Sequence, residues 1–212
     1  MTQQLNAARS FTAQLDKQIP LCPALKSAFE SIPRELFVPA GLRRMAYQLE
    51  ALPMGADQWL SSPLTVAKMT QALEYKGADS VLEIGCGSGY QAAILAKLFR
   101  RVFTIERIER LLNEAKGRFK QLNLINVHTR LDDGQKGWAQ YGPYDRILFS
   151  ASTAQVPQAL FDQLTGGGIL VAPIETAGKQ VITRYTKGAT GVKAQTLESC
   201  RFVPVLDGVQ RG

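Results

Sequence analysis

The residues of this chain whose types and spacing point most directly to chemistry are Gly85, Gly87 and Gly89. They lie in Val81-Leu82-Glu83-Ile84-Gly85-Cys86-Gly87-Ser88-Gly89-Tyr90, behind an apolar run and ahead of a helix-forming segment. Glycine lacks a Cβ, tolerates φ > 0 and lets backbone N–H groups approach a ligand, while a helix starting near Gly89 would turn its positive end to the same point. The arrangement is that of a nucleotide-binding turn. A dinucleotide turn reads G-x-G-x-x-G, but Tyr90 stands where its third glycine belongs, and no G-x-x-x-x-G-K-[ST] phosphate loop occurs in the chain. NAD and nucleoside triphosphates are therefore disfavoured. Glu83 would repel a pyrophosphate but accept hydrogen bonds from an α-ammonium group. S-adenosylmethionine (AdoMet) has that ammonium and no phosphate.

Two further acids extend the pattern. The apolar run Val102-Phe103-Thr104-Ile105 ends in Glu106, about 20 residues past the turn, where a strand-end carboxylate can accept both hydroxyls of a ribose. Asn126-Val127-His128-Thr129-Arg130 is followed by Asp132-Asp133-Gly134, and a carboxylate there can accept from the exocyclic amine of an adenine. The plainer readings stand beside these. A glycine-rich turn is often only a tight strand-to-helix connection, which Glu106 in register argues against, and Asp132 and Asp133 are ordinary solvated turn residues when taken alone.

These side chains need a parallel sheet to hold them. From Ser80 onward apolar runs alternate with helical periodicity: strand 80–84, helix 89–99, strand 101–105, helix 107–122, strand 126–130, strand 145–149, helix 156–164 and strand 168–173. Such alternation predicts an α/β doubly wound sheet with ligands at the carboxyl ends of its strands. Thr165-Gly166-Gly167-Gly168 reads as the turn into the last of these strands, and 180–185 with 192–202 as a terminal antiparallel pair. Before the sheet, residues 4–31 predict two short helices broken at Pro20 and Pro23. The proline- and glycine-punctuated stretch up to Pro63 reads as irregular. One domain over 1–212 is expected, with an N-terminal helical and substrate-side section at 1–62 and a cofactor-binding core at 63–212.

Composition sets the remaining bounds. No run of about 20 apolar residues occurs and the N-terminus lacks the order of a signal peptide, so a soluble, cytoplasmic protein with no membrane partner is expected. Cys22, Cys86 and Cys200 are far apart and without C-x-x-C spacing, which indicates neither a disulfide framework nor a metal site. The net charge of +7 raises nucleic acid as a partner. Against it, the basic residues are dispersed and not interleaved with aromatics, as a stacking groove would need. A solvated basic surface is the stronger reading, one that still favours anionic partners such as acidic polypeptides. His128, the only histidine, reads as a core or edge side chain, and Cys86 is assigned no chemistry.

Taken together the motifs resemble the protein-L-isoaspartate O-methyltransferases, AdoMet-dependent repair enzymes of the class I methyltransferase fold. The similarity runs over most of the chain. Pro33-Arg34-Glu35-Leu36-Phe37-Val38 is similar to the family's P-R-x-x-F-V, Leu52-Pro53-Met54-Gly55 to its P-I-G, and Val81 to Tyr90 to its V-L-E-I-G-T-G-S-G-Y. Ile105-Glu106-Arg107, Asp133-Gly134, Gly137-Trp138 and Arg201-Phe202-Val203-Pro204-Val205 follow in order. The resemblance implies a methyl donor held by Glu83, Gly85, Gly87, Gly89, Glu106, Asp133 and Gly134, and Ser61 as the catalytic serine. It further implies isoaspartyl peptides and proteins as acceptors, whose methyl ester loses methanol to give a succinimide that hydrolyses partly to normal aspartate.

The chain departs from that pattern on the acceptor side. Where the family reads G-Q-T-I-S-Q-P, this chain reads Asp57-Gln58-Trp59-Leu60-Ser61-Ser62-Pro63, so Trp59 replaces threonine and Ser62 replaces glutamine. The family's G-D-G is Asp132-Asp133-Gly134, and its T-A-A is Ser150-Ala151-Ser152. Trp59 could be a plug, a substrate platform or ordinary packing. Ser61 could instead cap the helix entered at Pro63, though Ser62 is better placed for that. Two other functions stay open at this point: a methyltransferase of altered specificity acting on RNA or a small molecule, and a non-catalytic AdoMet-binding protein.

Overall fold

A computed structural model describes the backbone of residues 2–211 and the side chains of residues 6–211. The chain opens with α1 (Thr2–Gln18) and α2 (Pro23–Ser31), then a small hairpin of β1 (Leu52–Pro53) and β2 (Trp59–Leu60), then α3 (Pro63–Ala72). The main sheet follows as β3 (Ser80–Ile84), α4 (Tyr90–Leu95), β4 (Arg101–Glu106), α5 (Glu109–Gln121), β5 (Val127–Leu131), β6 (Tyr144–Phe149), α6 (Gln158–Asp162), β7 (Leu164–Thr176), β8 (Lys179–Gly188) and β9 (Gly191–Cys200).

The seven long strands lie in the order β5-β4-β3-β6-β7-β8-β9. Pairings from β5 to β7 are parallel, while β8 and β9 run antiparallel at one edge, which is the expected architecture. Strand order reverses at β3, whose sheet neighbours β4 and β6 lie on opposite sides of it. In such sheets the crevice at the reversal is where ligands sit.

The sequence builds this because both faces of the central strands are apolar. Every residue of β3 is buried, and its side chains divide by parity: Val81 joins one apolar cluster with Val102 and Leu148, while Leu82 and Ile84 join another with Phe103, Ile105 and Ile147. The first cluster also takes in Phe11 and Leu15 of α1, Leu25 and Phe29 of α2, and Val66 and Met69 of α3. The N-terminal helices thus cover one face of the sheet.

Some boundaries differ from those the sequence predicts. The helix expected over 89–99 is regular only from Tyr90 to Leu95, after which bonds from Lys97 N to Ile94 O and from Leu98 N to Leu95 O tighten the chain into turns. The Thr165–Gly168 stretch is absorbed into β7 as a register irregularity between the pairs Tyr144–Leu164 and Arg146–Ile169. The stretch read as irregular contains the β1–β2 hairpin, whose turn holds Ala56 and Asp57 at φ of 61° and 54°.

One carboxylate fixes the starts of the two strands on either side of the crevice. Asp145 Oδ2, on β6, accepts from Asp79 N at 2.9 Å, Ser80 N at 2.9 Å and Ser80 Oγ at 3.1 Å, at the entry to β3. Hydrogen bonds to a charged group are worth about 1.5–3 kcal/mol. Asp145→Ala should therefore lower unfolding free energy in urea by about 2 kcal/mol, and Asp145→Asn, which keeps an acceptor oxygen, by less.

Candidate active site

The glycine turn is fixed by the strand beside it. Gly85 N and Cys86 N both donate to Ile105 O, at 2.9 and 3.1 Å, Gly87 N donates to Glu106 Oε2 at 2.8 Å, and Gly89 N donates to Cys86 O at 2.8 Å. Tyr90 N completes the set on Ser88 Oγ at 3.2 Å. These donors are satisfied inside the protein, so the turn serves a ligand by its bare backbone and not by donating to it. A phosphate would need those donors. Gly89 shows why the bare backbone is required: it precedes α4 at φ 87°, and a Cβ there would lie 2.8 Å from the Phe119 ring.

Glu83 and Glu106 meet at this crevice, each by its strand register. Glu83 pairs with Thr104 across β3 and β4, and its carboxylate accepts from Thr104 Oγ1 at 2.6 Å and Ser150 Oγ at 3.1 Å. Burial pushes its carboxyl from an ordinary 4.5 up to about 8; the two hydroxyls pull the other way and the neighbouring Glu106 charge adds to the rise. Glu106 Oε1 accepts from Ile108 N at 2.9 Å, so this carboxylate joins the turn after β3 to the turn after β4.

A single cavity is lined by Ser61, Glu83, Gly85, Gly87, Glu106 and Gly134, six of the eight residues predicted for the site. Gly89 and the Asp133 carboxylate are not on its wall. Asp133 Oδ1 accepts from Gln135 N at 3.0 Å and its Oδ2 from Gly208 N at 3.1 Å, which turns the expected adenine acceptor toward the end of the chain. His128 is an edge residue on β5, stacked on Phe103 with ring centroids 5.0 Å apart. Cys86 is buried, and burial pushes its thiol well above the usual range.

The two serines separate cleanly. Ser62 is the cap of α3, its Oγ accepting from Thr65 N at 3.1 Å. Ser61 lines the cavity, and its hydroxyl has no hydrogen-bond partner among the described residues. Trp59 stands on the same wall and is 55% exposed, which rules out ordinary core packing.

Three groups at the site have no role in the sequence reading. Thr104 and Ser150 hold Glu83, a function that only the strand register reveals. Phe202-Val203-Pro204-Val205-Leu206 forms a strap across the cavity. It is fastened by Ser152 N to Val203 O at 2.8 Å, Val205 N to Ser152 O at 2.7 Å and Gln210 N to Arg107 O at 2.8 Å. Its motif is visible in the sequence, but its position is not. Arg34, buried behind Ser61, donates to Ser61 O at 2.9 Å.

The family model of protein-L-isoaspartate(D-aspartate) O-methyltransferase matches residues 10–210. The chain belongs to the protein-L-isoaspartate O-methyltransferase family. A Helicobacter pylori (strain G27) protein of that name is 59% identical over 198 residues, covering 93% of this chain and 95% of its own. A solved protein-L-isoaspartate O-methyltransferase structure superposes with TM-score 0.85 at 25% identity, over 92% of this chain and 64% of that longer one. A Plasmodium falciparum structure holding S-adenosyl-L-homocysteine matches with TM-score 0.83 at 19% identity, over 94% of this chain and 98% of its own, and shows the shared fold.

The raised Glu83 carboxyl gives the family's buried acid a measurable signature. Its folded-state value lies above its unfolded one, so between pH 4.5 and about 8 the folded protein binds more protons and stability falls as pH rises. The stability of Glu83→Gln relative to wild type should therefore increase from pH 5 to pH 8 in urea unfolding. A difference that stays constant over that range would contradict the assignment.

Proposed function

We propose that this chain transfers a methyl group from AdoMet to the free α-carboxylate of L-isoaspartyl residues in damaged proteins, with Ser61 touching the acceptor. Membership of the family supports the activity. The observation that carries the site assignment is the division of labour between the serines: Ser62 caps α3, which leaves the Ser61 hydroxyl free on the wall that also carries Glu83 and Glu106.

The residues present fit AdoMet. The turn uses the N–H groups of Gly85, Cys86, Gly87 and Gly89 internally, as suits a ligand without phosphate, and two buried acids stand where an ammonium and a ribose would need acceptors. In this proposal the ammonium favours the ionised form of Glu83, which accepts from it, and Glu106 offers its remaining lone pairs to the ribose hydroxyls. Gly85 and Gly87 give close approach and Gly89 sets the turn against Phe119, while Gly134 borders the adenine end and Asp133 supports it from behind through its bond to Gly208 N. Bound AdoMet supplies a sulfonium methyl open to attack.

The chain's own contribution is alignment and the exclusion of water. The acceptor carboxylate has a pKa of roughly 3.5, by analogy with a chain terminus, and is ionised near pH 7, so no general base is needed. Ser61 Oγ holds one carboxylate oxygen and leaves the other to attack. A stronger grip would stabilise the ground state and slow the transfer. Leu60, Val66, Met69 and the strap from Phe202 to Leu206 give the cavity its apolar wall and keep water out.

The N-terminal section and the sheet share one apolar cluster, which supports reading 1–212 as one domain. No helix among the described residues is long and apolar enough to cross a membrane. The cysteines are free, as suits a reducing compartment, and a cytoplasmic location is part of the proposal.

The test is incubation with labelled AdoMet and two matched peptides, one aspartyl and one isoaspartyl. Base-labile label on the isoaspartyl peptide alone is expected. AdoMet binding without such label would favour a non-catalytic binder. Ser61→Ala should lower turnover by about tenfold or more and leave AdoMet affinity within about twofold, whereas Ser62→Ala should cost about 1 kcal/mol of stability and keep turnover. Equal loss of turnover and AdoMet affinity in Ser61→Ala would remove Ser61 from the chemistry.

A further inference from the structure

Arg34 is the bulkiest of the fully buried side chains, and its charge has no counter-ion. It enters on the short turn Arg34–Leu36, where the adjacent Glu35 is bonded to Tyr47 instead. None of the ion pairs among the described residues includes it. Nη2 donates to Ser61 O at 2.9 Å, while Nε and Nη1 are buried without a hydrogen-bond partner. The guanidinium carbon lies 4.7 Å from the centre of the Tyr90 ring, and the Tyr90 hydroxyl is also buried and without a well-formed hydrogen bond; burial raises its pKa, and the nearby Arg34 charge draws it partly back.

A guanidinium does not lose its proton inside a protein, and burying one with unmet donors is costly. Stacking on Tyr90 and one bond to a carbonyl offset only part of that cost. Neither accounts for a full charge, since an apolar side chain of similar length could fill the same space. What the charge does have is position. It is bonded to the carbonyl of the residue whose hydroxyl stands on the cavity wall, and it packs on Tyr90, which lines the same cavity. In a buried setting an uncompensated charge acts strongly over a few ångströms.

We propose that Arg34 makes the acceptor pocket selective for an anion: its guanidinium, anchored on the Ser61 carbonyl, holds a positive potential where the acceptor carboxylate docks. The inference rests on the reading of Ser61 given above. Arg34 is not on the cavity wall, so it is a positioning residue and not a catalytic one. Its field strengthens binding of the ionised carboxylate and does nothing for the neutral ester formed from it. Methylation therefore removes the interaction that held the acceptor, and the ester leaves. Because this attraction weakens as the carboxylate gives up its charge, its loss should raise KM for the acceptor without lowering kcat.

The experiment measures binding of two peptides to the protein loaded with S-adenosylhomocysteine, identical except that one carries the isoaspartyl α-carboxylate and the other its neutral α-carboxamide. Wild type should prefer the carboxylate by about tenfold or more, and Arg34→Met should reduce that preference to about threefold or less. The same variant should raise the peptide KM by about tenfold, change kcat by no more than about threefold, and bind S-adenosylhomocysteine as wild type does. Arg34→Lys retains the charge and should keep most of the preference.

Undiminished discrimination in folded Arg34→Met overturns the proposal. If that variant does not fold, Arg34→Lys decides: loss of the preference in the folded lysine variant overturns the proposal, and its retention supports it. A wild-type protein that fails to methylate the isoaspartyl peptide would instead overturn the underlying reading of the site.

Discussion

The Glu106 carboxylate is the interaction on which the rest of the site depends. Parallel pairing of β3 with β4 brings Ile84 level with Ile105, so the residue that ends β4 faces the turn that follows β3. One oxygen then takes Gly87 N and the other takes Ile108 N. The turn cannot shift without breaking that bridge. Its internal bonding also explains the kind of ligand it suits, because a loop with most of its donors already used offers shape and acids, not a cradle for phosphate.

Much of this was legible in the sequence. β3, β4 and β6 are covered on both faces, so they read as continuous apolar runs and their ends could be placed within a residue or so. Glu83, Glu106 and the glycines followed from those ends. The β1–β2 hairpin was not legible, because strands of two residues carry no periodicity and its turn places Ala56 and Asp57, not glycine, at positive φ. Nor was the end of α4, where the helix stops without a glycine or proline to mark it.

The rest was hidden for a different reason. Thr104 and Ser150 reach Glu83 only through strand pairing, and Asp133 reaches Gly208 across 75 positions of chain. Arg34 was visible as part of a motif, yet a charged residue is expected at the surface, and nothing in the local sequence announces full burial without a counter-ion. Ser61 and Ser62 are the exception: Pro63 at the first helical position marks the residue before it as the cap, and Ser62 is that cap.

The strap also gives the site a history. Its wall from Phe202 to Leu206 comes after every strand of the sheet, whereas the glycine turn it faces lies well inside the first half of the chain. A ribosome would release the turn, both acids and the two serines long before the segment that encloses them. A domain folds as a unit, so these groups wait on that late segment, and the pocket cannot close to water until it has been made.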